Sequence, residues 1–259
     1  MKEWRKTLVS AALTAAVVCG VTVPSSRIGA APPVYQPTTS ELRYVPVAPC
    51  RVADTRVAVG ALSAGITRTF AVQTAASYPA QGGQSGGCGI PSSAVSVTAS
   101  LVAVAVPADG HLQAWAAGDA KPSSSVLNYN KSQTNNSTPT IPLGAAGMAV
   151  YSSAGPVNVV IDVTGYYVKP LAGFIAPSGA PYSGSSRILA GTKTSTGVYE
   201  VQFDTNIRYC SAIATPYVSA YYASVSTWFD STRPDTVRIN VWDASGAPID
   251  QYVYITVNC

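Results

Sequence analysis

Charge is what this sequence has least of. Only 11% of its 259 residues are Asp, Glu, Lys or Arg, less than half the ~25% of an ordinary globular chain. That scarcity excludes a disordered polyelectrolyte, a coiled coil and a binder that works by neutralising phosphates. The formal net charge of +4 is a property of the N-terminus. Lys2, Arg5, Lys6 and Arg27 stand there against Glu3, and twelve basic and eleven acidic side chains follow residue 30. A balance so close to zero gives nucleic acid no electrostatic handle. Histidine is nearly missing: His111 is alone, no two cysteines form a CxxC pair, and neither a metal site nor a cofactor is expected. Beyond the N-terminal region no segment is apolar for long enough to span a bilayer.

What is present begins with an export signal. Lys2, Arg5 and Lys6 form a positive n-region, residues 8–23 are an apolar h-region, and Pro24, Ser25 and Ser26 break it. Ile28-Gly29-Ala30 offers the small residues that a signal peptidase reads, so cleavage is expected after Ala30 or Ala31. Residues 1–30 are then a signal peptide and 31–40 an extended tail, and the protein is secreted, either released or associated with the cell surface. Loss of the signal removes Cys19 and leaves Cys50, Cys88, Cys210 and Cys259, an even number in an oxidising compartment. Four cysteines allow three pairings. Cys50 with Cys88 and Cys210 with Cys259 is favoured, because each pair then falls inside one of the two regions described next.

The hydrophobic period is two almost throughout, and Gly, Pro, Ser and Asn interrupt it at short intervals, as in an all-β protein. Val157, Val159, Ile161 and Val163 share one face of a half-buried strand, with Asn158, Asp162 and Thr164 on the other. In 95–106 the residues Ser96, Thr98 and Ser100 give way to Val102, Val104 and Val106 on one face, which predicts a strand that starts solvated and ends buried on both sides. Further strands are predicted at 67–73, 111–116, 125–129, 148–152, 197–204, 217–229, 236–242 and 251–258. Asp109-Gly110 and the run 243–248 supply hairpin signals. Residues 169–184 are rich in Pro, Gly, Ala and Ser, without sustained alternation, and read as a linker. Two β-sandwich-like or jelly-roll-like domains are therefore expected, at 41–168 and 185–259.

Four blocks in the first region carry a resemblance: Pro49-Cys50-Arg51-Val52-Ala53-Asp54-Thr55-Arg56, Cys88-Gly89-Ile90-Pro91, Ser125-Val126-Leu127-Asn128-Tyr129, and Val160-Ile161-Asp162-Val163-Thr164-Gly165-Tyr166-Tyr167. In that order, over residues 44–168, they resemble a secreted bacterial β-module found alone, in tandem or beside hydrolase domains in actinobacteria, myxobacteria and relatives. The stretch 197–204, with Cys210 and the closing 253–259, is similar to a C-terminal domain of bacterial surface and fibre-like proteins. Neither resemblance brings an established activity or catalytic residues. Together they imply an exported surface or matrix protein.

The chemistry-bearing residues are few. Gly83-Gln84-Ser85-Gly86-Gly87 matches the G-x-S-x-G string of a hydrolase nucleophile elbow, but that elbow needs a strand before it and a helix after it. Both flanks read as loop, so a flexible glycine loop is expected. Arg51, Asp54 and Arg56 are the most distinctive polar group. In a regular strand Asp54 and Arg56 share a face and Arg51 points away, and Asp162 is a further partner for the arginines. A structural bridge beside Cys50 is expected of them in preference to an anion or sugar contact. The aromatic residues supply the binding argument, since 15 Tyr and 4 Trp stand against 4 Phe, a bias towards rings with a polar tip. Trp115 and Tyr129 in the first region, and Tyr217, Tyr221, Tyr222 and Trp228 in the second, are the candidate binding residues. In one straight strand Tyr217 and Tyr221 fall on one face and Tyr222 and Trp228 on the other. The expected function is non-catalytic binding of polysaccharide or envelope components. A self-assembling surface protein, trimeric or fibre-forming, and an unrecognised polysaccharide hydrolase are the alternatives.

Overall fold

The structure, a computed structural model, describes residues 41–104, 106–182, 185–227 and 232–259. The expected signal peptide, the tail at 31–40 and Trp228 lie outside the described residues. The protein is all-β: 52% is strand, and helical turns are confined to two short 3-10 segments, Ala75–Ser77 and Pro79–Gln81, among the described residues. Nine strands come first: β1 (Arg43–Asp54), β2 (Thr67–Phe70), β3 (Ala94–Val104), β4 (Gly110–Ala116), β5 (Leu127–Tyr129), β6 (Asn135–Ser137), β7 (Thr140–Pro142), β8 (Met148–Ser152) and β9 (Asn158–Val168). Seven follow: β10 (Leu171–Ile175), β11 (Ile188–Ser195), β12 (Val198–Phe203), β13 (Ser211–Pro216), β14 (Tyr222–Thr227), β15 (Thr236–Trp242) and β16 (Val253–Asn258). No helix among these residues is long and apolar enough to cross a membrane.

Strands β1, β9, β3 and β6 lie side by side, with β7 also on β3, while β2, β8, β4 and β5 form a second sheet. Every pairing is antiparallel. Alternation sends Val97, Leu101, Ile161 and Val163 from one sheet towards Phe70, Leu112, Met148 and Val150 of the other, and these join a single hydrophobic cluster. The later strands repeat the plan with β10-β16-β13 and β11-β12-β15-β14. Ile175, Val253 and Ile255 there join Tyr199, Val201, Phe203, Val237, Ile239 and Val241 in a second cluster. Full burial of each such aliphatic side chain contributes roughly 1.5–3 kcal/mol. Both favoured disulfides are present: Cys50–Cys88 and Cys210–Cys259.

Several sequence expectations need correction. The stretch 169–184 is no bare linker, because it contains β10, which pairs with β16 and buries Leu171 and Ile175. Only Leu171 and Ile175 of its five residues are buried, and with Ala172 and Phe174 on the other face the strand shows no apolar-polar period against the Pro and Gly around it. Asp109-Gly110 does not close a hairpin: β3 and β4 belong to different sheets, so this turn crosses the sandwich. The stretch predicted at 217–229 is broken as well. Residues 217–221 form a corner between β13 and β14, which also lie in different sheets. In β3 the buried series is Val97, Ala99, Leu101 and Ala103, whereas Val102 and Val104 stay half-buried on the other face with Ser100. Ser96, expected to be solvated, is buried in register with Tyr167 and Pro142.

Candidate functional site

The Arg51, Asp54, Arg56 and Asp162 group is a closed network. Residues 51 and 53 of β1 pair with 162 and 161 of β9, so Val52 is an extra residue in a β-bulge. The bulge turns both Val52 and Ala53 inward and brings Arg51 onto the face of Asp54, which corrects the regular-strand expectation. Arg51 Nε and Nη2 donate to the two oxygens of Asp162 at 2.9 and 3.1 Å, and Nη1 donates to Asp54 at 3.1 Å. Asp54 also accepts from the Arg56 backbone N–H at 3.1 Å and from its guanidinium at 2.9 and 2.6 Å. Hydrogen bonding to the Arg56 side chain holds the Asp54 carboxyl below the usual carboxylate range, against the opposing pull of burial. Two guanidiniums answer two carboxylates, and the buried carboxylate has no lone pair left facing outward. The geometry locks β1 to β9 beside Cys50.

The glycine run beside this network is a loop, close-packed at Gly82 and Gly83 and exposed at 84–86. A Cβ on Gly83 would sit 2.2 Å from the Val52 carbonyl oxygen, and one on Gly82, whose φ is +79°, 2.2 Å from that of Asp54. Gln84 N–H donates to the Arg51 carbonyl at 2.8 Å, and Gln81 Nε2 donates to the Val52 carbonyl at 2.9 Å. Gly83–Gly87 thus lies along the outer edge of β1, with no strand leading into Ser85 and no helix leaving it.

The six aromatic candidates fare differently. Trp115 is 8% exposed and its Nε1 donates to the Asp119 carbonyl at 3.1 Å. Tyr129 is 2% exposed, with its hydroxyl on Ser152 Oγ at 2.9 Å and the Ala154 carbonyl at 2.8 Å. Both are packing residues and are withdrawn as binding residues: their polar tips are satisfied internally and their rings are covered. Tyr221 sits in the corner after β13, half-buried, its N–H donated to the Val218 carbonyl at 3.2 Å. Tyr217, just past β13, and Tyr222, the first residue of β14, are both exposed, but β13 and β14 belong to different sheets and no ring contact joins the two tyrosines among the described residues.

Tyr217 instead joins four rings on the outer face of β10-β16-β13. Val253, Ile255 and Val257 of β16 point inward, which leaves Tyr254 outward. Phe174 of β10 lies directly opposite Tyr254, their centroids 4.4 Å apart. Tyr252 stacks on Phe174 at 5.2 Å with the planes only 8° apart, and Tyr182 and Tyr217 meet Phe174 edge-on at 5.8 and 6.0 Å. The segment after β10 folds back so that Tyr182 N–H donates to the Phe174 carbonyl at 2.7 Å, and Tyr217 N–H donates to the Tyr252 carbonyl at 2.8 Å. Tyr217 and Tyr254 are each 44% exposed, and Ile213 on the same face is 55% exposed. The other outward positions are Ala172, Ser211, Thr215, Thr256 and Asn258, so among the described residues the strands of this face present no charged side chain.

Sequence reasoning missed Phe174 and Tyr182 because they fall in the supposed linker. Tyr252 and Tyr254 were legible in principle, being two apart at a strand that ends the sequence pattern Tyr-Val-Tyr-Ile-Thr-Val. No family model matches the chain, and a search of curated proteins returns no match.

Proposed function

We propose that this is a secreted, non-catalytic bacterial cell-surface or extracellular-matrix protein that binds polysaccharide or envelope components. The observation that carries the reading is the uncharged ring surface of Phe174, Tyr182, Tyr217, Tyr252 and Tyr254. Tyrosines present an apolar face with a hydroxyl at its tip, which suits a ligand whose own faces are C–H and whose rim is O–H. The rings contact one another, so little side-chain freedom remains to be lost on binding. Two disulfides agree with an exported protein, and the sequence blocks of the first sandwich support kinship with secreted bacterial β-modules.

The test is retention of purified protein on a panel of insoluble polysaccharides and isolated bacterial walls, beside a Tyr217→Ala/Tyr254→Ala variant. Selective retention by the parent, lost in the folded variant, is the expected result, and no reducing sugar is released from the retained polymer. Equal retention of parent and variant refutes the site. The same surface, with Ile213 exposed among its polar neighbours, supports a second reading in which two or more copies bury it against one another. A monomer at all concentrations in sedimentation eliminates that reading.

A further inference from the structure

The outer face of the opposite sheet, β11-β12-β15-β14, is built differently. Tyr199, Val201, Val237, Ile239 and Val241 point to the core. The alternate residues Glu200, Gln202, Arg238, Asn240 and Trp242 therefore point outward. At one end lies a cavity of about 320 Å³ whose walls include Thr192, Glu200, Gln202, Arg233, Asp235 and Thr236. Gln202 Nε2 donates to Asp235 Oδ2 at 2.8 Å, Thr236 Oγ1 donates to Asp235 Oδ1 at 3.1 Å, and Arg233 donates to Glu200. Cross-strand register then places Arg238 beside Glu200, Asn240 beside Ser224, and Trp242 beside Tyr222. Those last two rings stack at 5.4 Å and 23°, with Tyr222 49% exposed. From Thr236 to Trp242 the face runs roughly 20 Å at the usual rise per strand residue.

We infer that this face is a second, independent binding surface for a neutral polysaccharide chain. Among the described residues Glu200 and Asp235 are balanced by Arg233 and Arg238, so these side chains bring no net charge to attract an ion, and amide, hydroxyl and charged groups that donate or accept hydrogen bonds succeed one another along the face. Such an array matches hydroxyl groups, which both donate and accept. The cavity is at the lower end of the ~300–1,000 Å³ range of ligand pockets, and the Tyr222–Trp242 pair offers a flat apolar stop at the far end. The inference rests on the polysaccharide reading above and extends it: ring faces on both outer surfaces of one sandwich let a single molecule bridge two polymer chains, with the avidity that two sites confer.

The experiment uses soluble neutral oligosaccharides of cellulose, chitin and xylan, titrated by calorimetry into three proteins: the parent, Tyr217→Ala/Tyr254→Ala, and the same variant with Trp242→Ala and Gln202→Ala added. Residual binding in the first variant, weakened at least tenfold in the second while both keep the parent's circular dichroism, supports the second surface. Binding by the parent that is wholly absent from the first variant overturns it and leaves the polysaccharide reading standing. Absence of binding by the parent, both here and on the insoluble panel, overturns both. Gln202→Ala and Trp242→Ala made singly in the first variant give a second reading of the same face. Undiminished binding in both singles also overturns the proposal.

Discussion

Removal of the Cys210–Cys259 bond by a Cys210→Ala/Cys259→Ala variant has a calculable effect. The bond spans 49 residues, and loop-closure entropy for that length gives about 4 kcal/mol at 25 °C. The native sheet does not need the bond for its register: Ser211 of β13 already faces Asn258 of β16, one residue inside each cysteine. The constraint therefore acts on the unfolded chain, and the folded variant should keep the parent's β spectrum and its ring surface. For a cooperative unit of 60–100 residues, about 4 kcal/mol corresponds to a fall in Tm of roughly 15–30 °C. Thermal unfolding followed by circular dichroism measures this, with a Cys50→Ala/Cys88→Ala variant, whose separation is 38 residues, as the parallel case of nearly equal size. A drop of less than about 5 °C with a native spectrum would refute the entropic account, because loop length would then not govern the stabilisation.

Three further outcomes are expected. Gly83→Ala places a methyl group against the Val52 carbonyl and should cost about 1–3 kcal/mol in urea unfolding, with no loss of polysaccharide retention. Asp54→Asn should cost about 2 kcal/mol at neutral pH, less than a fully buried pair because both arginines are partly exposed. The Asp54 carboxyl is held low in the folded state, so its contribution is complete above the unfolded value near 3.9 and is lost as pH falls through the lower folded one. The asparagine variant should accordingly lose less stability than the parent on acidification below about pH 4, and parallel pH profiles would contradict the network. Tyr129→Phe takes the acceptor from the Ala154 N–H and one donor from the Ala154 carbonyl, which keeps its bond from Ser152 Oγ, and should cost about 1–2 kcal/mol, again with unchanged retention.

The fold class was legible because strand alternation is a local property: 148–152 and 236–242 coincide with β8 and β15. The disulfide pairing was legible because each pair lies within one sandwich. What the pattern could not carry was which strands share a sheet. Asp109-Gly110 looks like a hairpin turn whether the chain returns beside β3 or crosses to the other sheet, and only tertiary packing decides between them. Strands such as β11, with only Ile188 and Gly191 less than exposed in Ile188–Ser195, bury too little to leave a period. The site suffered from the same limit. Tyr217 is a candidate in the sequence, but the rings grouped with it come from two other stretches of the chain, Phe174 with Tyr182 and Tyr252 with Tyr254. Trp115 and Tyr129 misled because an aromatic residue in a strand looks the same from sequence on either face.

β1 is the outermost strand of its sheet and is twelve residues long, a template for joining another chain's sheet. Its two halves decline that role by different means. Pro46 and Pro49 withhold backbone donors from the first half, while Gln81 and Gln84 occupy the Val52 and Arg51 carbonyls of the second and Gly82 and Gly83 pack against it. Two copies of the chain brought side by side are thereby hindered from joining their sheets through this edge.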